Sequence, residues 1–100
     1  MPKSYYADYV NHCLRFYFRY SPVKGFKNDI DKINYTAVEK IVKKLDMTDI
    51  EVLRTVFMQD GIVISENISI AAEKHGKERK QIWSLVNYVT SKIAKERKLV

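Results

Sequence analysis

Basic side chains gather at one end of this sequence. Between residues 74 and 100 stand Lys74, Lys77, Arg79, Lys80, Lys92, Lys95, Arg97 and Lys98, against only Glu78 and Glu96. Residues 1–73 hold ten Lys/Arg and ten Asp/Glu, so the whole formal charge of +6 lies in the final quarter. A concentrated basic segment on a small domain is the electrostatic footprint of nucleic-acid binding, and the plainer alternative is a solvated helix face. Within the segment, Arg79 is the best candidate for base readout, because a guanidinium can bond guanine O6 and N7 together. Lys74, Lys77 and Lys80 suit phosphates, which add affinity without sequence information. Ser84 and Asn87 are polar readers with weaker claims, and Glu78 shares their outward side. Trp83 is two-sided: it can lie against a sugar or thymine methyl, or pack on an aromatic first helix.

Catalysis asks for convergent acid, base or nucleophilic groups, and here the inventory is thin. His12 and Cys13 are sequence neighbours, which point in different directions on a helix. Asp8 and His12 share a helical face, but two side chains do not close a metal site. A glycine-rich phosphate loop is missing from the sequence. No catalytic residue, metal ligand or cofactor is expected, and the chain reads as a binding protein, not an enzyme.

The scaffold that positions these side chains must be small. One hundred residues allow one compact domain and no second core of useful size. Three Gly and two Pro are too few for the many tight turns of a β-sandwich. The expected fold is all-α, a small bundle of about five helices in one domain spanning residues 1–100. Residues 1–44 form an aromatic-rich helical pair and residues 45–100 carry the basic helix. A single cysteine, Cys13, cannot make an internal disulfide and fits a reducing, cytoplasmic setting. Asp8 and Arg15 interrupt the first apolar pattern, so no signal peptide is expected. The longest uncharged run near the basic end, residues 81–91, falls short of the roughly 20 apolar residues that a membrane span needs.

Periodicity places the helices. Over residues 4–20, Tyr6, Tyr9, Val10, Cys13, Tyr17 and Tyr20 recur at helical spacing, and Ser21, Pro22 and Gly25 then break the element. So many aromatics could make a base-stacking platform, but core packing is the stronger reading, since a small domain needs the area they bury. Over residues 29–45, Ile30, Ile33, Ala37, Ile41, Val42 and Leu45 fall on one face, with Asn28 or Asp29 as cap. Thr48-Asp49-Ile50-Glu51 has the form of a capping box opening a third helix, whose buried stripe is Ile50, Leu53, Val56 and Phe57. Asp60-Gly61 ends it, and Ile62, Val63 and Ile64 read as an extended connector. A fourth helix is expected from near Asn67, capped by Ser65 or Asn67, to Gly76. A fifth covers residues 77–98 and buries Ile82, Leu85, Val86, Val89 and Ile93.

The last two helices have helix-turn-helix spacing. Ala72, Gly76, Ile82 and Leu85 are separated by four, six and three residues: a small residue for close approach, a glycine at the turn, and two inward apolar groups. The leading end of the fifth helix then faces outward, where recognition helices meet base edges. His75 and Lys77 depart from the pattern, since apolar residues are usual on either side of the turn glycine. His75 at the edge of the core invites a local hydrogen bond.

At these residues the chain resembles region four of bacterial sigma factors, the C-terminal promoter-binding domain. Glu51-Val52-Leu53-Arg54, Phe57 and Asp60-Gly61 look like the start of that region, with Leu45 in the place of the leucine before its helix. Ala71-Ala72, Gly76, Arg79, Ile82 and Leu85 follow where that family has its turn and recognition helix, after a slightly longer connector. The resemblance covers about residues 45–97. It implies sequence-specific binding of double-stranded DNA through the major groove, with RNA polymerase as a further partner. Residues 1–44 do not resemble the promoter-opening region of sigma factors. The implied protein is thus a stand-alone, sigma-like transcription regulator of the kind found in bacterial mobile elements and phages. Its N-terminal helices would complete the core and offer a surface for a homodimer. The competing reading is a helical protein–protein interaction module, such as a polymerase- or regulator-binding adaptor, with a merely solubilising basic helix. A third is RNA binding, which favours single strands over duplex.

Overall fold

Five apolar stripes at three- and four-residue spacing give five helices. The computed structural model describes residues 4–20, 25–58 and 64–99; these contain α1 (Ser4–Arg19), α2 (Asp29–Val42), α3 (Met47–Met58), α4 (Ile64–His75) and α5 (Arg79–Glu96), and no strand. The expected all-α bundle is the one observed. Its Cα radius of gyration is 13.1 Å, the value of about 13 Å that a compact 100-residue chain should have. Ser21, Pro22, Asp60, Gly61, Ile62 and Val63 lie outside the described residues. Ile64, expected in an extended connector, is instead the first residue of α4.

The core is built from all five helices. Val10, Leu14, Val38, Val52, Leu53, Val56, Ile68, Val89 and Ile93 have no exposed surface. Helix α1 packs on α2, α3 and α5, so its buried arc is centred on Val10 and Leu14. That rotates it from the expected stripe. Tyr6, Cys13, Leu14 and Phe18 are inside, Tyr17 and Tyr20 are half-buried, and Tyr9 turns outward. The aromatics do not form an open row for bases. Tyr20 stacks on Phe26 at 4.8 Å, and Tyr17, Tyr20 and Phe26 all meet Tyr35 of α2.

Helix α2 corrects a second stripe. Ile30 and Ile33 are 58% and 48% exposed, while Asn34, Ala37, Val38 and Val42 are buried. A polar residue can hold the inward position because its hydrogen bonds are made. Arg97 Nε donates to Asn34 Oδ1 at 2.6 Å, and Asn34 Nδ2 donates to Tyr9 Oη at 2.9 Å. Three helical segments are joined by that one amide. The helix ends at Val42, earlier than expected, and Leu45 packs against the core from the turn that follows.

Caps settle the helix ends. Asn28 Oδ1 accepts from the Asp31 N–H at 2.9 Å and starts α2. Helix α3 starts two residues before the expected box: Asp46 Oδ1 accepts from the Asp49 N–H at 2.8 Å. Thr48 therefore lies inside the first turn, and Glu51 pairs with Arg54 at 3.4 Å. Helix α4 begins before both expected caps, so Ser65 and Asn67 are interior, and Ser65 offers its carbonyl to the Ser69 hydroxyl at 3.1 Å.

Candidate nucleic-acid interface

The turn between α4 and α5 is defined by its backbone. Gly76 sits at φ +63°, the left-handed region that glycine enters without steric cost. The Lys77 N–H reaches back to the Ala72 carbonyl at 3.0 Å, closing a Schellman turn that satisfies an orphan carbonyl of α4. Two residues on, the Gln81 side-chain oxygen accepts from the Glu78 N–H at 3.0 Å and pins the start of α5. This box had a signal in the sequence, a Gln three residues after an acidic cap, but the expected start at residue 77 hid it. Helix α5 opens at Arg79 and closes at Glu96, inside the expected range of 77–98.

His75 earns its place before the turn through α3. Its Nε2 lies 2.8 Å from Thr55 Oγ1, while the Thr55 hydroxyl donates to the Glu51 carbonyl at 3.0 Å. One hydroxyl carries one proton, so with that proton on the Glu51 carbonyl the pair is completed by the tautomer that protonates His75 Nε2. The bond is a cross-helix tie, twenty residues apart in sequence, not a local one. It fixes the end of α4, and with it the turn, against the core.

The expected site residues divide by exposure. Lys74, Glu78, Arg79, Lys80, Ser84 and Asn87 are exposed; Lys77 and Trp83 are half-buried. Ile82 is buried and Leu85 packs against the core, so the inward pair of the helix-turn-helix spacing does face inward. Trp83 packs against the core and borders a groove of about 220 Å³ with Tyr6, Ala7, Asp8 and Asn11 of α1. Asn87 borders that groove as well. It also lines a shallow depression with Ser84, Tyr88, Ser91, Lys92 and Lys95. Lys80, Ser84, Asn87, Ser91 and Lys95 follow one another at helical spacing of four, three, four and four, so they share a face. Tyr88, Ser91, Lys92 and Lys95 extend that face beyond the expected residues. Their spacing is present in the sequence, beyond the leading turns that the helix-turn-helix pattern marks.

The candidates for other chemistry lie on α1, where Asp8 shares the groove with Asn87 and Ser91 of this face. Cys13 is a core residue whose burial pushes the thiol up to about 11, against a smaller lowering by Arg97. It is no ready nucleophile at neutral pH. Asp8 and His12 are exposed on α1. Among the described residues, no group of three or more His, Cys, Asp or Glu is placed to hold a metal ion. No helix among them is long and apolar enough to cross a membrane. Comparison with protein-family models, with curated proteins and with solved structures finds no match for this chain.

Proposed function

We propose that the chain is a sequence-specific, double-stranded-DNA-binding transcription regulator of sigma region-four type, which places the leading turns of α5 in the major groove. The observation that carries the reading is the exposure of Arg79 and Lys80 at the tip of α5, just beyond a glycine turn. Neither is covered by α1 or α2, as the approach of a duplex requires. Arg79 reads a guanine edge, Lys74, Lys77 and Lys80 hold phosphates, and Ser84 and Asn87 meet bases or backbone further along. A single half-site binds weakly, and a second copy or RNA polymerase supplies the missing affinity.

Selection of bound sites from a random duplex pool tests this directly, with a recurrent motif as the expected result. On the selected site Arg79→Ala should cost about 1–3 kcal/mol, and much less on random duplex. Equal losses on both remove Arg79 as a base reader. One observation favours the adaptor reading: Ile30 and Ile33 leave apolar surface exposed on α2. The two separate by salt. If duplex binding uses five phosphate contacts, the slope of log K against log salt is near −4.5, at roughly −0.9 per contact, whereas an adaptor binds no duplex at low salt.

A further inference from the structure

Helix α5 is longer than the part that the proposed readout uses. Eighteen residues make a rod of about 27 Å at 1.5 Å per residue, while the major groove is about 12 Å wide. The groove winds around the duplex and a rod does not. Once the leading turns meet base edges, the trailing turns rise to the level of the sugar-phosphate chain. What stands on those trailing turns is therefore informative.

From Arg79 to Lys95 the helix carries no acidic residue. Its open face passes from Lys80 through Ser84 and Asn87 to Lys92 and Lys95, all exposed. Glu96, the acid that follows, is held by Lys40 at 2.9 Å on the side facing α2. Tyr88 is 53% exposed, and Lys92 Nζ lies 5.6 Å from the centre of its ring. The turn after α2 adds another cation: Lys44 lines a small cleft with Ile41, Leu45, Tyr88 and Lys92. Lys44, Lys92 and Lys95 thus come from two elements to one flank of the face, with an aromatic ring among them. Lys92 and Lys95 lie about 20 and 24 Å along the rod from Arg79. That spacing is greater than the width of the groove, so with Arg79 on a base the backbone comes within their reach.

We infer that Lys44, Lys92 and Lys95 form a second contact, a clamp on the phosphate backbone of the same duplex, with Tyr88 laid against a sugar. It rests on the duplex-DNA reading and adds to it a surface that supplies grip without discrimination. The partner is committed by charge: a run of cations with no acid, flanking a polar face, fits a phosphate chain and not an acidic protein groove of mixed residues.

The test uses the full chain with Lys44→Gln, Lys92→Gln and Lys95→Gln together, beside Lys27→Gln with Lys32→Gln as a control for lost charge elsewhere. All five lysines are exposed, so the fold is kept, which circular dichroism checks. Binding to a selected site and to random duplex is followed across salt. The clamp predicts that the slope of log K against log salt becomes shallower by roughly 2.7, at about 0.9 per contact. Affinity at 0.1 M salt falls by roughly two to three orders of magnitude on both duplexes, and their ratio is unchanged. The control pair should leave the slope nearly as it was. An unaltered slope in the triple variant, or an equal change in the control, overturns the clamp while leaving readout by Arg79 standing. A collapse of the ratio overturns it too, because these lysines would then be reading sequence. A native chain that binds no duplex at any salt overturns both readings.

Discussion

Two helix ends in this protein use the same turn with opposite residues at its critical position. Gly76 ends α4 at φ +63°, and Lys98 ends α5 at φ +58°. At the second, the Leu99 N–H reaches the Ala94 carbonyl at 2.8 Å and the Lys98 N–H reaches Lys95 at 3.1 Å, a full Schellman pair. Exchanging the residue types isolates the backbone cost. A Cβ built on Gly76 meets nothing within 4 Å, so Gly76→Ala adds no clash. It adds the left-handed penalty of about 1–2 kcal/mol, offset by about 0.4–1 kcal/mol from the stiffer unfolded chain. The net loss should be about 1 kcal/mol, which lowers Tm by roughly 4–8 °C in a domain of this size. Lys98→Gly runs the same terms in reverse and should raise Tm by a similar amount. The double variant should return close to the original value, since the two turns share no partner. Urea melts and thermal scans followed by helical circular dichroism measure all three. A loss above about 3 kcal/mol for Gly76→Ala would show that the turn is crowded. A neutral Lys98→Gly would show that the left-handed end of α5 does not persist in solution.

The remaining predictions concern ends, core and pH. Asp46→Ala should cost about 1 kcal/mol as a lost helix cap, whereas Thr48→Ala should stay within about 0.5 kcal/mol in the same urea melts; the reverse order would restore the box at Thr48. A double-mutant cycle of Thr55→Val and His75→Ala should give a coupling of about 0.5–1.5 kcal/mol, and a coupling near zero would mean that the 2.8 Å contact contributes nothing. In alkali the unfolded Cys13 thiol ionises near 9.0 while the folded one keeps its proton to about 11, so the unfolded state gains stability as pH rises through that window. Burial raises Tyr17 and Tyr35 in the same direction. Urea midpoints should therefore fall above pH 9, and less steeply in Cys13→Ala once its lower starting stability is subtracted.

What the sequence disclosed followed from what periodicity can see. Helical class, Leu53, Val56 and Phe57 of α3, the inward residues of α5 and the glycine turn were legible, because each rests on spacing or on a residue that alone tolerates its conformation. Val52 and Thr55 of α3 are buried outside the expected stripe, and Ile50 is only half-buried. Helix α2 was misread where the pattern weighs only apolarity. Asn34 is buried and Ile30 is not, a distinction set by Tyr9 and by Arg97, sixty-three residues away. No local pattern contains that partner. The start of α3 was ambiguous for a different reason. Asp46 and Thr48 are both good caps, and the choice falls to whichever lets Met47 and Thr48 join the helix. At the candidate interface, the exposed cations were foreseen from charge, yet the tie between His75 and Thr55 was not, since it needs the crossing of α3 and α4.

Arg97, Asn34 and Tyr9 tie the rear of α5 to α1 and α2, while Ile82, Leu85 and Val86 bed its front against the core. A rod seated along its whole length can only shift as one body. The bearing of its first turn, where Arg79 and Lys80 stand in solvent, is therefore set by the packing of the domain and not by the turn alone.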